Sequence, residues 1–286
     1  MKHLSFFIIN IAMDKKILYN STIRKRGGII LGKAIAIFNQ KGGVGKTTTN
    51  INLAACLALN GKKVLVLDID PQGNTTSGLG ISKRELEDTI YNILVDNDYN
   101  PRNAIIETGV ENLHLIPASV DLAGAEVELV QVEGREKALK NGIEKIKDDY
   151  DYIFIDCPPS LGLLTINSLA AVDSVLIPIQ CEFYALEGVS QLVSTIELVK
   201  KSLNPALEVQ GVILSMFDGR TNLSAQVVQE VKRYFGGKVY STVIPRNVRL
   251  AEAPSYGLPI TLYDPKSRGA EAYMEFSEEF IELEEE

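Results

Sequence analysis

The chain has 286 residues, 45% of them hydrophobic and 23% charged, with a formal net charge of -8 and a pI of about 5.1. This is material for a large core, and with no apolar tract of 18 or more residues it excludes a membrane-spanning helix. The acidic balance excludes a global attraction to nucleic acid or to an anionic membrane, so any such binding needs a local basic patch.

In chain order, LSFFIINIAM (residues 4–13) is an apolar run that meets Asp14, Lys15 and Lys16 without a small-residue cleavage site, which argues against a secretory signal. Lys25-Arg26-Gly27-Gly28 is the residue run that a purine-rich ribosome-binding site encodes, and Leu31 suits an alternative start codon. Residues 1–32 therefore read as an N-terminal extension, either disordered or outside the natural start, and residues 33–286 as a single domain.

From residue 33, strand-length apolar runs alternate with helix-length segments. The strand candidates are 33–39, 63–69, 112–116, 151–156, 173–178, 208–214 and 238–244; several are continuously apolar, as strands covered on both faces are. The helix candidates are 46–60, 83–95, 121–148, 160–171, 186–201, 222–235 and 268–283, with Ser82 and Glu85 as a capping box and Gly61 at a helix C-cap. Such alternation predicts a doubly wound α/β fold, a mostly parallel sheet flanked by helices, with ligands bound beyond the carboxyl ends of the strands.

Cys56, Cys157 and Cys181 form no CxxC pair; they read as small buried apolar residues in a protein of a reducing cytoplasm. From Lys200 to Arg249, eight basic residues stand against three acidic ones, so this stretch is +5 and the remainder -13. The last sixteen residues carry eight glutamates, which read as a solvated helix face and a frayed tail.

The most informative segment joins strand 33–39 to helix 46–60: Gln40-Lys41-Gly42-Gly43-Val44-Gly45-Lys46-Thr47-Thr48. Its glycines let backbone N–H groups approach phosphate oxygens, the helix N-terminus adds its dipole, Lys46 neutralises the β- and γ-phosphates and Thr47 can ligate magnesium. The strict GxxxxGK[ST] pattern fails at its first position, where Gln40 stands, and Lys41 is an additional lysine. Carboxylates for a magnesium nucleotide come from Asp68-Ile69-Asp70 after strand 63–69 and from Asp156 after strand 151–156. Asp156 suits a Walker B acid that orients metal-bound water, and Asp70 suits an acid that positions the attacking water. Period-two alternation puts Asp68 and Asp70 on one face, with capping or turn chemistry as the alternative for one of them. Pro71 and Gly73, and Pro158 and Pro159, constrain the two loops, which are candidate switches.

KGGVGKTT is the deviant Walker A sequence. Together with VLVLDIDPQGNTTSGLG, YDYIFIDCPPSLGLLTINSL, MFDGRTNLSAQV and IPRNVRLAEAPSYGLPI, it makes residues 33–283 resemble the ParA/Soj partition ATPases of the deviant Walker A group of P-loop NTPases. The resemblance implies ATP and magnesium as cofactors, with Lys41, Gly42, Gly43, Val44, Gly45, Lys46, Thr47 and Thr48 around the phosphates and Met216, Pro245 and Asn247 around adenine. It implies that Thr47 holds the metal, with Asp70 and Asp156 acting through water. Asp70 and Lys46 are then catalytic, as is Lys41, which reaches the partner's nucleotide across an ATP-dependent sandwich homodimer. It further implies weak basal turnover, binding of that dimer to double-stranded DNA without sequence preference, and release by hydrolysis that a ParB-type centromere-binding protein stimulates. Such a protein is cytoplasmic and nucleoid-associated.

The +5 segment supports the DNA expectation physically, because a few aligned cations suffice for salt-sensitive phosphate contact and a dimer presents twice the charge. The candidates are Arg220 and Arg249, then Lys232 and Arg233; for each the alternative is a solubilising surface charge, and Arg246 is set apart as a nucleotide-side residue. Three other classes compete. A MinD-type positioning ATPase shares the loop but anchors through a basic amphipathic C-terminal helix, whereas this end is acidic. An iron–sulfur reductase needs two cysteines from each subunit, and a nucleotide-gated scaffold needs no turnover at all.

Overall fold

Along strand β1 (Lys33–Ile37) and the residue after it, Ala34, Ala36 and Phe38 belong to one hydrophobic cluster and Ile35 and Ile37 to another, and all five are fully buried. A strand covered on both faces has no polar alternation, which is why its sequence reads as one apolar run. The computed structural model describes residues 25–26, 29–30, 32–84, 86–182 and 185–285. Most of the expected extension, residues 1–24, lies outside the described residues; Lys25–Arg26 and Ile29–Ile30 form a small antiparallel ladder of their own.

Seven further strands complete the sheet: β2 (Val64–Asp68), β3 (Ile106–Glu107), β4 (Leu113–Ile116), β5 (Tyr152–Asp156), β6 (Ser174–Gln180), β7 (Glu208–Phe217) and β8 (Val239–Pro245). They lie in the order β8-β7-β6-β1-β5-β2-β4-β3, and every pairing is parallel except the edge pair β3–β4. All seven expected strands are present and parallel, so the doubly wound reading holds.

Helix α1 (Lys46–Leu59) fills the middle of one face. Its end is a Schellman motif, in which Gly61 takes φ +79 while the Gly61 and Lys62 amides donate to the Ala58 and Leu57 carbonyls, as expected for a glycine cap. After it come α2 (Asn74–Gly78), α3 (Ile90–Val95), α4 (Leu122–Glu128), α5 (Ala138–Glu144), α6 (Leu163–Ala171), α7 (Ala185–Ser202) and α8 (Asn222–Phe235). The chain ends with α9 (Val248–Glu252), α10 (Ile260–Tyr263) and α11 (Arg268–Glu285). Helices α3 to α8 pack their apolar side chains on the face opposite α1, whereas α10 and α11 share the face of α1.

Three expectations need correction. The single helix over 121–148 is instead α4, short 3-10 turns and α5, because the chain turns extended at Val132 and takes φ +74 at Gly134. The helix over 83–95 is only α3, capped by Thr89 with Asn92; Glu85, half of the expected Ser82–Glu85 box, lies outside the described residues. The acidic C-terminus is not merely solvated. In α11, Glu279 is buried and accepts from the Ser241 amide, the Thr242 amide and the Thr242 hydroxyl, and buried Glu284 pairs with Lys33 at 2.7 Å and accepts from Gln210. These bonds clamp the last helix to β1, β7 and β8.

Candidate active site

Residues 40–45 leave the carboxyl end of β1 and enter α1 through Gly45, whose φ of +92 is left-handed backbone that glycine adopts without strain. A Cβ at Gly42 or Gly43 would meet nothing within 4 Å, so the space over the loop is open for a ligand to approach the backbone. Three anchors fix the loop: Asn39 donates to the Pro178 carbonyl (2.8 Å) and accepts from the Lys41 amide (3.0 Å), Gln40 donates to the Thr195 hydroxyl (2.7 Å), and Ser215 donates to the Val44 carbonyl (2.7 Å). The departure at Gln40 thus ties the loop to α7.

Lys46 and Thr47 begin α1. Lys46 is buried and donates to the Lys41 carbonyl at 3.3 Å, folding its ammonium back over the loop. Burial lowers its pKa, and the neighbouring carboxylates of Asp156 and Asp70 oppose that shift; a buried ammonium of this kind favours a neutralising anion. Thr47 donates to Asp156 Oδ2 at 2.8 Å, and Thr75 of α2 donates to the same oxygen at 2.7 Å. Asp156 Oδ1 is buried and has no hydrogen-bond partner among the described residues. Burial raises the Asp156 pKa despite those two hydroxyls and Lys46.

An unpartnered buried carboxylate oxygen beside a threonine hydroxyl is a pair of hard oxygen donors, with the ammonium left for the phosphates. It fits a magnesium ion held mainly by substrate phosphates rather than by an all-protein cage. Consistent with that division of labour, no group of three His, Cys, Asp or Glu among the described residues is arranged to hold a metal alone.

Asp68 pairs directly with Asp156 across the β2–β5 ladder, yet its oxygens are engaged: Oδ2 accepts from the Thr76 amide and hydroxyl, both at 2.7 Å, and Oδ1 accepts from the Asp70 amide at 3.3 Å. Burial and the neighbouring Asp156 raise its pKa. Asp68 is therefore the capping acid of α2. Strand β2 stops at Asp68, so the shared-face expectation for Asp68 and Asp70 fails. Asp70 lies in the loop beyond the strand, where its Oδ1 accepts from the Gln72 amide at 2.9 Å.

Met216, Pro245 and Asn247 lie together at the carboxyl ends of the neighbouring strands β7 and β8, the same edge of the sheet as the loop. Met216 holds a left-handed φ of +51, and Asn247 spends its side-chain oxygen capping α9, leaving its amide donors for a ligand. Sequence reasoning missed Glu182, which follows β6. Its carboxylate accepts from Gln180 (2.5 Å) and Arg246 (3.3 Å) and lies 4.0 Å from the Lys41 ammonium. The acid-after-strand rule applied to β2 and β5 would have found it. It missed Thr75 as well, whose role depends on a tertiary contact.

The basic candidates divide between two ends of the fold. Arg220 lies just beyond the carboxyl end of β7, 89% exposed and forked onto Asp218, and Arg249 in α9 pairs with Glu252 and Asp264. Lys232 and Arg233 occupy the last turn of α8, next to the amino end of β8 and so at the opposite edge of the sheet. The three cysteines are buried, and burial pushes each thiol up to about 12, so none presents a surface thiolate for sharing a cluster between subunits.

A family model described as an AAA domain matches residues 32–209. The chain is 64% identical over 249 residues to the sporulation initiation inhibitor protein Soj of Bacillus subtilis (strain 168), covering 87% of this chain and 98% of that protein. It is 54% identical over 257 residues to the chromosome partitioning protein ParA of Myxococcus xanthus (strain DK1622), covering 90% of each. Among solved structures, it superposes with a TM-score of 0.76 and 39% identity on cobyrinic acid a,c-diamide synthase from Mycobacterium smegmatis with bound ATP analog and magnesium, covering 87% of this chain and 93% of that one.

Proposed function

Because the chain belongs to the ParA/Soj family of chromosome-partitioning proteins, we propose that it is an ATPase that works as a molecular switch in chromosome or plasmid partition. The observation that carries this reading is the Thr47–Asp156 bond, with the unpartnered Asp156 Oδ1 beside Lys46 at the mouth of a glycine loop. ATP and magnesium suit that site, and the bound analogue and magnesium of the solved relative agree with it.

In this reading residues 33–286 are one ATPase domain. The amides of residues 42–48 cradle the phosphates, Lys46 neutralises charge on the β- and γ-phosphates, and Thr47 and Asp156 hold the metal, Asp156 through water. Magnesium, when bound, withdraws charge from the phosphate oxygens and orients them. Asp70 orients the attacking water from the loop after β2, and Met216, Pro245 and Asn247 line the adenine. Lys41 exchanges its cis contact with Glu182 for the nucleotide of a second copy, so ATP closes a homodimer.

That dimer binds double-stranded DNA without sequence preference through Arg220 and Arg249, with Lys232 and Arg233 as further candidates. A ParB-type partner raises a weak basal turnover and resets the switch, which makes the protein cytoplasmic and nucleoid-associated. No observation favours membrane anchoring: no helix of the described residues is long and apolar enough to cross a membrane, and Arg268 is the only basic residue of α11. The test is DNA retention across a salt series with ATP, with ADP and without nucleotide. Salt-sensitive retention with ATP alone is expected, and equal retention in all three states would sink the switch.

A further inference from the structure

Asp156 has two hydroxyls on one oxygen and none on the other. Thr47 comes from the phosphate loop's own helix; the second donor, Thr75, comes from α2, the helix that follows the Asp70 loop. Thr75 is fully buried, and its hydroxyl also lies 3.3 Å from the side-chain amide of Asn50, itself fully buried on α1. A hydroxyl has one proton. Since Thr75 gives that proton to Asp156, it receives the Asn50 N–H, and a directed relay runs from Asn50 through Thr75 to the carboxylate.

Several helical serines of this chain take a different partner. Ser77 donates to the Gly73 carbonyl, Ser168 to the Leu164 carbonyl and Ser194 to the Ser190 carbonyl, the usual local solution for a helical serine or threonine. Thr75 instead donates to a carboxylate 81 positions away in sequence. Its neighbour Thr76 is committed to the other acid, Asp68, so consecutive residues of α2 bolt the Asp70 loop to both strands.

We propose that Thr75 is a positioning residue for the metal-side carboxylate: it holds Asp156 Oδ2 so that Oδ1 is presented to the cation, and it ties the Asp70 loop to that carboxylate. The inference rests on the magnesium-nucleotide reading above. In its absence Asp156 is free to rotate and satisfy its own buried oxygen, and the cation must first pull it back.

The test uses the full chain and a fluorescent ATP analogue, whose affinity is measured in EDTA and then across a magnesium titration, with thermal melting in EDTA as a check on folding. Thr75→Val and Thr75→Ala are expected to match wild type in EDTA and to need about ten-fold more magnesium, while Thr75→Ser stays within about two-fold, as for outer-shell partners of metal ligands. Thr75→Ala carries the test if Thr75→Val does not fold. Thr76→Val, which loses a partner of Asp68, is expected to melt lower with an unchanged magnesium midpoint. An unchanged midpoint in a folded hydroxyl-less variant overturns the proposal, as does an equal shift in Thr75→Ser or in Thr76→Val. If wild type itself shows no magnesium-dependent binding, the nucleotide reading fails instead.

Discussion

Asp68 and Asp156 are register partners on adjacent strands, but the first accepts three hydrogen bonds, two from Thr76 of α2 and one from the Asp70 amide, and the second keeps one oxygen unpartnered among the described residues. Two acids at the same depth therefore do different work, and substitution should separate them. Asp68→Ala strands three donors in the core and is expected to cost about 2–4 kcal/mol in urea unfolding. Asp156→Asn, which can still accept from Thr47 and Thr75, is expected to stay within about 1 kcal/mol of wild type while losing the magnesium dependence of nucleotide affinity. Calorimetric binding alongside the urea curves checks both.

Among the described residues the Asp70 side chain makes only the turn bond from the Gln72 amide, so its removal is expected to leave the fold and the phosphate loop intact. Asp70→Ala is expected to bind Mg-ATP as wild type does and to lose partner-stimulated turnover by about a hundred-fold or more, the usual scale for a group that handles the proton of a nucleophile. Stimulated turnover that survives the substitution would remove Asp70 from the mechanism.

Glu279 satisfies two backbone amides and a hydroxyl of β8 from a buried position in α11. Glu279→Ala is expected to destabilise the protein by about 2–4 kcal/mol, whereas Glu278→Ala, one position away on the exposed side, is expected to change it by less than about 0.5 kcal/mol. Equal unfolding midpoints for the two variants would contradict the clamp.

Arg220 and Lys232 with Arg233 stand at opposite ends of α8, so substitution can tell which end carries the DNA. Arg220→Ala is expected to weaken binding of the ATP state to any duplex and to reduce the salt slope by about 1. Lys232→Ala and Arg233→Ala should leave that slope unchanged if the nucleotide edge carries the DNA. A fall in slope for the second pair alone would move the interface to the other end of α8.

Much of this architecture is readable from the residues because its causes are local. Buried parallel strands are continuous apolar runs, and a phosphate loop is a contiguous string of glycines and a lysine between a strand and a helix. The parts that escape the sequence are those decided at a distance. Helix α2, with the weak helix former Asn-Thr-Thr-Ser-Gly as its whole sequence, forms because Asp68 and Asp156 accept from its first residues. Strand β3 is two residues long, and the glutamates of α11 read as solvent-facing until Lys33, Gln210 and the β8 amides are seen to meet them. Likewise Thr75 looks like turn composition, and only the β2–β5 register brings it to Asp156.

Titration calorimetry of Mg-ATP into the full chain tests the central claim most directly. Binding of one nucleotide per chain, abolished in Lys46→Gln and weakened when EDTA replaces magnesium, is the expected result. No heat from cooperatively folded wild-type protein, or undiminished binding in Lys46→Gln, would contradict it.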